Sequence, residues 1–342
     1  MTNKNCKFVE KQKKEKMRRE KEGLIMTDGV EVILHAWLPD MQPRYVLVVC
    51  HGMKEFAERY DEFATFLCAN GVALYAHDQR GHGETAVASE NLGFLAERHG
   101  FGRVVDDLRE VLGAVSSRYP AIKVFLLGHS FGSFVSQGYM ERYGREHVIS
   151  GCLLSGTAGP RLALVSSARV LAGFIRLFRG ARHRSALLKW MVFGRYNLRV
   201  ESPESENSWL SRDKALIRNY DADPKCTFVP TVSFFCDMFE GLFSIHTSRM
   251  MAGIPKNLPV FLFFGSEDPV GEYGSSPRKL YEAYRRMGMA DVSMHEYEGG
   301  RHEMLNETNR ADVMSELLSL LDGWSVRKKD EAEVRFPTLS NR

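Results

Sequence analysis

The sequence predicts an α/β protein: a mostly parallel central sheet with helices on both faces and a helical cap inserted in its second half. Three observations carry this reading. Short continuous apolar runs alternate with stretches of helical periodicity, the pattern of parallel strands covered on both faces. The alternation stops between about residues 157 and 256 and resumes at Leu258-Pro-Val-Phe-Leu-Phe-Phe264. Several polar residues with reactive chemistry directly follow apolar runs, and ligand chemistry in such sheets sits at the carboxyl ends of the strands.

Residues 1–23 are dominated by Lys, Arg and Glu with almost no apolar face, which predicts a charged tail. The main domain is expected over 24–156 and 257–325, interrupted by the cap at 157–256, with a polar C-terminal tail at 326–342. Its strands are expected at Val30–Leu38, Tyr45–Cys50, Val72–Ala76, Val124–Leu127, Ile149–Leu154, Val260–Phe264 and Val292–Tyr297. Helical spacing fills the gaps at Glu58–Ala69, Val104–Arg118, Ser133–Tyr143, Pro277–Met287 and Asn309–Leu321. At 342 residues the chain can bury a substantial core.

Composition narrows the function classes. A net charge of +3, with 44% hydrophobic and 26% charged residues, gives no case for a nucleic-acid partner. No run approaches the roughly 18 apolar residues of a membrane span, and the N-terminus has no apolar core of a secretory signal. The six cysteines are scattered, with no C-x-x-C pair and no metal-ligand spacing. A reducing, cytoplasmic setting is expected, with neither a metal nor an organic cofactor.

The chemistry centres on Lys123-Val-Phe-Leu-Leu-Gly-His-Ser-Phe-Gly-Ser133, a buried-looking strand running into Gly128-His-Ser-Phe-Gly132. Small residues two positions either side of a serine allow a sharp strand-to-helix turn that exposes the hydroxyl. Taken alone, the same pattern also fits an ordinary glycine-rich turn. A serine needs a base to take its proton, and the base needs a partner to hold its tautomer. Val260–Phe264 leads into Gly265-Ser-Glu-Asp268, and Val292–Tyr297 leads into Gly299-Gly-Arg-His302. Ser130, Asp268 and His302 thus follow three strands, in the order expected of an α/β-hydrolase. Glu267 is a rival acid beside Asp268. The expected oxyanion donors are the backbone N–H groups of Phe131, after the serine, and Met53, in the loop after Tyr45–Cys50.

With these residues assembled, the chain resembles the monoacylglycerol lipase and lysophospholipase group of α/β-hydrolases, within the serine aminopeptidase S33-like (Hydrolase_4) set. The resemblance spans roughly residues 23–325. It rests on His51-Gly-Met-Lys-Glu-Phe-Ala-Glu-Arg-Tyr60, His77-Asp-Gln-Arg-Gly-His-Gly83 and the three motifs above. It implies hydrolysis of a carboxylic ester through an acyl-enzyme on Ser130. His302 would act as base and then acid, Asp268 would orient it, and Met53 and Phe131 would supply the oxyanion hole. Lys54 departs from a commonly small residue and Phe56 from a common histidine, both near the expected pocket mouth. Asp78, Arg80 and His82 read as loop-fixing residues.

The span from Val148 to Val200, which runs into the cap, holds nine Lys and Arg and no Asp or Glu. Leu164, Ala168, Leu171, Ile175 and Phe178 form an apolar stripe at helical spacing, with Arg169 and Arg176 on another face and Arg179 just beyond. Such a helix suits peripheral contact with an anionic membrane surface; the alternative is a stripe packed on the main domain with solvated arginines. Phe235, Met238, Phe239 and Leu242 are the candidate pocket wall. The expected substrate is a small-molecule ester or lipid, a monoacylglycerol or lysophospholipid. The rivals are a short-chain carboxylesterase, an amidase or aminopeptidase, and a non-catalytic binding module. An aminopeptidase needs an acidic anchor, for which the cap offers Glu201, Glu204, Glu206, Asp237 and Glu240.

Overall fold

The computed structural model describes residues 17–86 and 91–327. Eight strands form one sheet: β1 (Met17–Ile25), β2 (Glu31–Pro39), β3 (Val46–Cys50), β4 (Ala73–His77), β5 (Val124–His129), β6 (Ile149–Ser155), β7 (Val260–Gly265) and β8 (Val292–Tyr297). Their order across the sheet is β1-β2-β4-β3-β5-β6-β7-β8. β2 pairs antiparallel with β1 and β4, and the other pairs are parallel. Five helices cover the sheet: α1 (Asp61–Ala69), α2 (Gly100–Arg118), α3 (Phe131–Tyr143), α10 (Ser275–Arg286) and α11 (Arg310–Ser325). Between β6 and β7 lie α4 (Leu162–Arg179), α5 (Ala186–Phe193), α6 (Lys214–Ala222), α7 (Pro224–Thr227), α8 (Val232–Ile245) and α9 (Ser248–Met251).

The inner strands β3 to β7 are buried on both sides because both faces are covered. Val46, Val48 and Cys50 of β3 point into the core shared with α2 and α3, while Leu47 and Val49 point into the core shared with α1 and α11. Two-residue periodicity distributes each strand between these cores. No described helix is long and apolar enough to cross a membrane.

Two expectations fail, each for a physical reason. Residues 17–23 of the expected tail belong to β1, which pairs with β2 along its whole length; residues 1–16 lie outside the described residues. This edge strand is exposed on nearly every residue, so no apolar alternation marks it. Backbone bonds hold it, with ion pairs such as Lys21–Glu84 and Arg118–Glu22. Charge on an edge strand also opposes pairing with a second chain.

The stripe on α4 is also rotated from the one expected. Val165 and Ala172 are buried, Ala168, Leu171 and Ile175 are half-buried, and Leu164 and Phe178 face out. Arg169 turns inward to Glu240 and stacks over Phe243. Arg176 donates to the Glu97 carbonyl. Small side chains let α4 approach α8 closely, and so its bulkier residues fall on the outer face.

Candidate active site

Ser130 sits between β5 and α3 with φ 52° and ψ −120°, a conformation that costs a non-glycine residue free energy and clusters at functional sites. The flanking glycines make the turn possible. A Cβ on Gly132 would lie 2.0 Å from the Cys50 carbonyl oxygen, and one on Gly128 would lie 2.3 Å from Ser136 Oγ. The Ser130 N–H donates to the Ser155 carbonyl at 2.9 Å, tying the turn to β6.

His302 and Asp268 leave the ends of β8 and β7. Gly265 lets these loops touch, since a Cβ there would meet the Gly300 carbonyl oxygen at 2.0 Å. The Glu267 N–H donates to that carbonyl at 2.8 Å. His302 Nδ1 lies 3.0 Å from each Asp268 carboxylate oxygen. The Val270 N–H donates to Asp268 Oδ1 at 2.9 Å. Glu267 is exposed, whereas Asp268 is fully buried. Burial alone would push the His302 pKa down, but the charge and hydrogen bond of Asp268 outweigh it and raise the value above the ordinary one. His302 Nε2 is buried, with no hydrogen-bond partner among the described residues. Ser130 and His302 line the same cavity.

The loop after β3 closes the other side. A Cβ on Gly52 would meet Ser130 Cβ at 3.2 Å, so Met53 follows a point of close approach to the serine. The N–H groups of Met53 and Phe131 meet no acceptor among the described residues. They are available to a developing oxyanion. His51 accepts from the Gln79 N–H at Nε2 and donates from Nδ1 to the Gly52 carbonyl, which makes it a neutral loop brace. Asp78 accepts from the Ala57 and Glu84 N–H groups, and Arg80 binds Asp107 and Asp28. These residues hold loops rather than face the cavity.

A buried ion network below the cavity escaped sequence reasoning. Arg59 makes a two-pronged contact with Glu303 at 2.7 and 2.8 Å and also binds Glu55. Burial tends to raise the Glu303 pKa, but Arg59 holds it down, at about 2. Glu55 in turn accepts from the Gly52 N–H at 2.6 Å, linking the network to the Met53 loop. Glu55, His129 and Glu303 bring ligand atoms within 4.8 Å of one another. Arg59 pairs with both carboxylates and the Gly52 N–H also binds Glu55, so oxygens that a metal would need are already engaged. The only sequence signal was position: Glu55 and Arg59 share the motif with Met53, and Glu303 follows His302.

The cavity is about 280 Å³ and mostly apolar. Met238, Phe239 and Leu242 line it, together with Leu164, Val165 and Trp209. Phe235 does not. It is fully buried behind the wall, stacked on Phe239 with ring centroids 6.3 Å apart, because the inner face of α8 is wider than the part that meets the cavity.

A strained serine at a strand end, a carboxylate-bound histidine and two free N–H groups on one apolar cavity define the class: an α/β-hydrolase of the serine ester hydrolase kind. The chain belongs to the family described as serine aminopeptidase, S33 (Hydrolase_4), whose model matches residues 41–309. It is 28% identical to a monoacylglycerol lipase of Mycolicibacterium smegmatis over 294 residues, covering 85% of this chain and 92% of that protein. It is also 28% identical to the monoglyceride lipase of Rattus norvegicus, covering 88% of each. A thermostable carboxyl esterase from Bacillus coagulans, solved with glycerol, superposes with a TM-score of 0.83 at 25% identity, covering 90% of this chain and 99% of that one. A monoglyceride lipase from Saccharomyces cerevisiae shares the fold at a TM-score of 0.70 and 19% identity, covering 91% of this chain and 96% of that one.

Proposed function

We propose that the protein hydrolyses lipid-type carboxylic esters, monoacylglycerols or lysophospholipids, through an acyl-enzyme on Ser130. The observation that carries this is the mostly apolar cavity lined by the strained serine. His302 Nε2 takes the Ser130 proton as the hydroxyl attacks the ester carbonyl, and the negative charge on the carbonyl oxygen falls to the Met53 and Phe131 N–H groups. The imidazolium, held by Asp268, returns its proton to the leaving alkoxide. Water then attacks the acyl-enzyme by the same route and releases the fatty acid. The similarity to monoacylglycerol lipases supports the lipid class.

The cavity wall makes a graded prediction. Among straight-chain esters of one alcohol, kcat/KM is expected to rise with acyl length until the cavity fills, by up to about fourfold per methylene. A panel from acetyl to dodecanoyl esters checks it, and a maximum at acetyl would favour a short-chain carboxylesterase. Matched amides are expected to be poor substrates, because an aminopeptidase needs a free acid for the substrate amine. Glu204 and Glu206 are paired with Lys214 and Lys189, Glu240 with Arg169, and Asp237 accepts from the Gly100 N–H. None of these, nor Glu201, lines the cavity.

The outer cap suits a membrane surface, though through apolar rather than basic side chains. Leu177 and Phe178 of α4 are 75% and 77% exposed and Trp190 of α5 is 62% exposed. Leu164 and Met191 are exposed and also line the cavity, so the apolar surface runs into its mouth. This face lies on a bilayer surface and takes substrate from it. Flotation with phosphatidylcholine–phosphatidylserine vesicles is expected to retain the protein and to lose most of it after combined Leu177→Ser, Phe178→Ser and Trp190→Ser changes. Unchanged flotation would remove the docking reading.

A further inference from the structure

Beside the ester cavity lies a second cavity, in which charged and amide side chains mix with apolar ones, and the two share Lys54, Phe193 and Asn207. Lys54 is held with φ 62°, a region that favours glycine, and its side chain is only 5% exposed. It forms no ion pair among the described residues. Instead its Nζ lies 5.6 Å from the centroid of the Phe193 ring and 5.8 Å from that of Tyr220. A buried ammonium without an anion is costly, and rings alone offset only part of that cost. A long cationic side chain placed where glycine would relieve the backbone is an outlier that calls for a role.

The second cavity supplies the rest of a polar subsite. Lys189 lines it, paired with Glu206 at 2.8 Å, so that two ammonium groups face one carboxylate. Asn197 also lines it, with a buried Oδ1 that has no donor among the described residues. Burial pushes the Lys54 pKa down, opposed by Glu206 and assisted by Lys189. An arriving anion would supply the missing counter-charge.

We infer that Lys54 is a specificity-determining residue that binds an anionic head group, of the phosphate monoester class, on the alcohol side of the ester attacked at Ser130. This rests on the ester-hydrolase reading for which bond is cut, but not for what is bound. The acyl chain occupies the apolar cavity, the ester carbonyl lies at Ser130, and the phosphate passes Lys54 into the second cavity. There Asn197 Oδ1 accepts from a hydroxyl of the head. A neutral glycerol head would leave the Lys54 ammonium without a partner.

The test uses the full chain with Ser130→Ala, which removes turnover and leaves both cavities intact. Calorimetry compares dodecanoyl lysophosphatidate with monododecanoylglycerol, both below their micelle concentrations. The phosphate-bearing lipid is expected to bind at least about tenfold more tightly, the scale of one charge-assisted hydrogen bond. Adding Lys54→Met is expected to erase that preference by weakening the binding of the phosphate-bearing lipid at least about tenfold. Equal binding of the two lipids by Ser130→Ala alone would overturn the inference, and this comparison needs no Lys54 variant to fold. A preference that survives Lys54→Met would overturn the assignment to Lys54. Failure of the wild type to cleave either lipid would sink the hydrolysis reading instead, and the binding result would still decide the role of Lys54.

Discussion

Ser130→Ala is expected to abolish ester hydrolysis and covalent labelling by a fluorophosphonate probe, with turnover falling by about 10⁶-fold as for other triad serines. The size of the effect follows from the geometry. The φ of 52° at Ser130 lifts the hydroxyl above the sheet, and Gly128 and Gly132 allow that backbone only because they carry no Cβ. Alanine tolerates the turn about as well as serine, so the fold should survive while the nucleophile is lost. What remains is a cavity that binds the ester and N–H groups that polarise its carbonyl, with nothing to accept the acyl group. Wild-type labelling or turnover in Ser130→Ala would show that a different group is attacked, and the acyl-enzyme reading would fail.

Residues whose chemistry is announced by local sequence were legible in advance. Ser130 and Asp268 each follow a continuous apolar strand and His302 a mixed edge strand, and chemistry in such sheets sits at the carboxyl ends of parallel strands. Between Asp268 and Glu267, however, sequence could not decide. The bond to His302 depends on which carboxylate is buried, and adjacent residues differ in that only once the loop is folded. The inner strands β3 to β7 were legible because burial on both faces leaves nearly uninterrupted hydrophobic runs. β1 was not, because an edge strand of MRREKEGLI is held by its backbone and by ion pairs that have no periodic signature. On α4 the period was read correctly and the phase was not. By sequence Leu164 and Phe178 share one apolar stripe, open to either a membrane surface or the main domain, yet Val165 and Ala172 are the buried residues. Hydrophobicity cannot reveal phase when both faces are apolar, as they are on a helix with one face on α8 and another in solvent. The Arg59–Glu55–Glu303 network was invisible for a related reason. Arg59 and Glu303 lie 244 positions apart, and a buried ion pair leaves no local pattern.

Asp268→Asn is expected to lower turnover by about 10⁴-fold, the cost of leaving the histidine without its orienting carboxylate in other triads. Asn is nearly the same size, so the volume at this fully buried position is kept and the loss is electrostatic. The carboxylate does two things that an amide cannot. It accepts only, which keeps the proton on His302 Nδ1 and leaves Nε2 free for the serine. It also stabilises the imidazolium formed as Ser130 attacks. The second role has a pH signature. His302 must be neutral to accept a proton, and Asp268 raises its pKa above the ordinary histidine value against the opposing effect of burial. The acid limb of kcat/KM in the wild type should therefore lie above the ordinary histidine range, with activity lost as pH falls through it. In Asp268→Asn the main opposition to burial is lost and only Glu303 and Glu55 still raise the value, so the limb of the residual activity should move to lower pH. A residue that merely supports the loop would reduce the amount of folded enzyme without moving that limb. Glu267→Gln provides the contrast, because Glu267 is exposed and its removal leaves the His302 bonds in place. If Asp268→Asn cost less than about tenfold, or if Glu267→Gln reproduced the shift in the acid limb, the orienting role would pass to Glu267. The buried contact at 3.0 Å would then be a feature of packing, with no part in proton transfer.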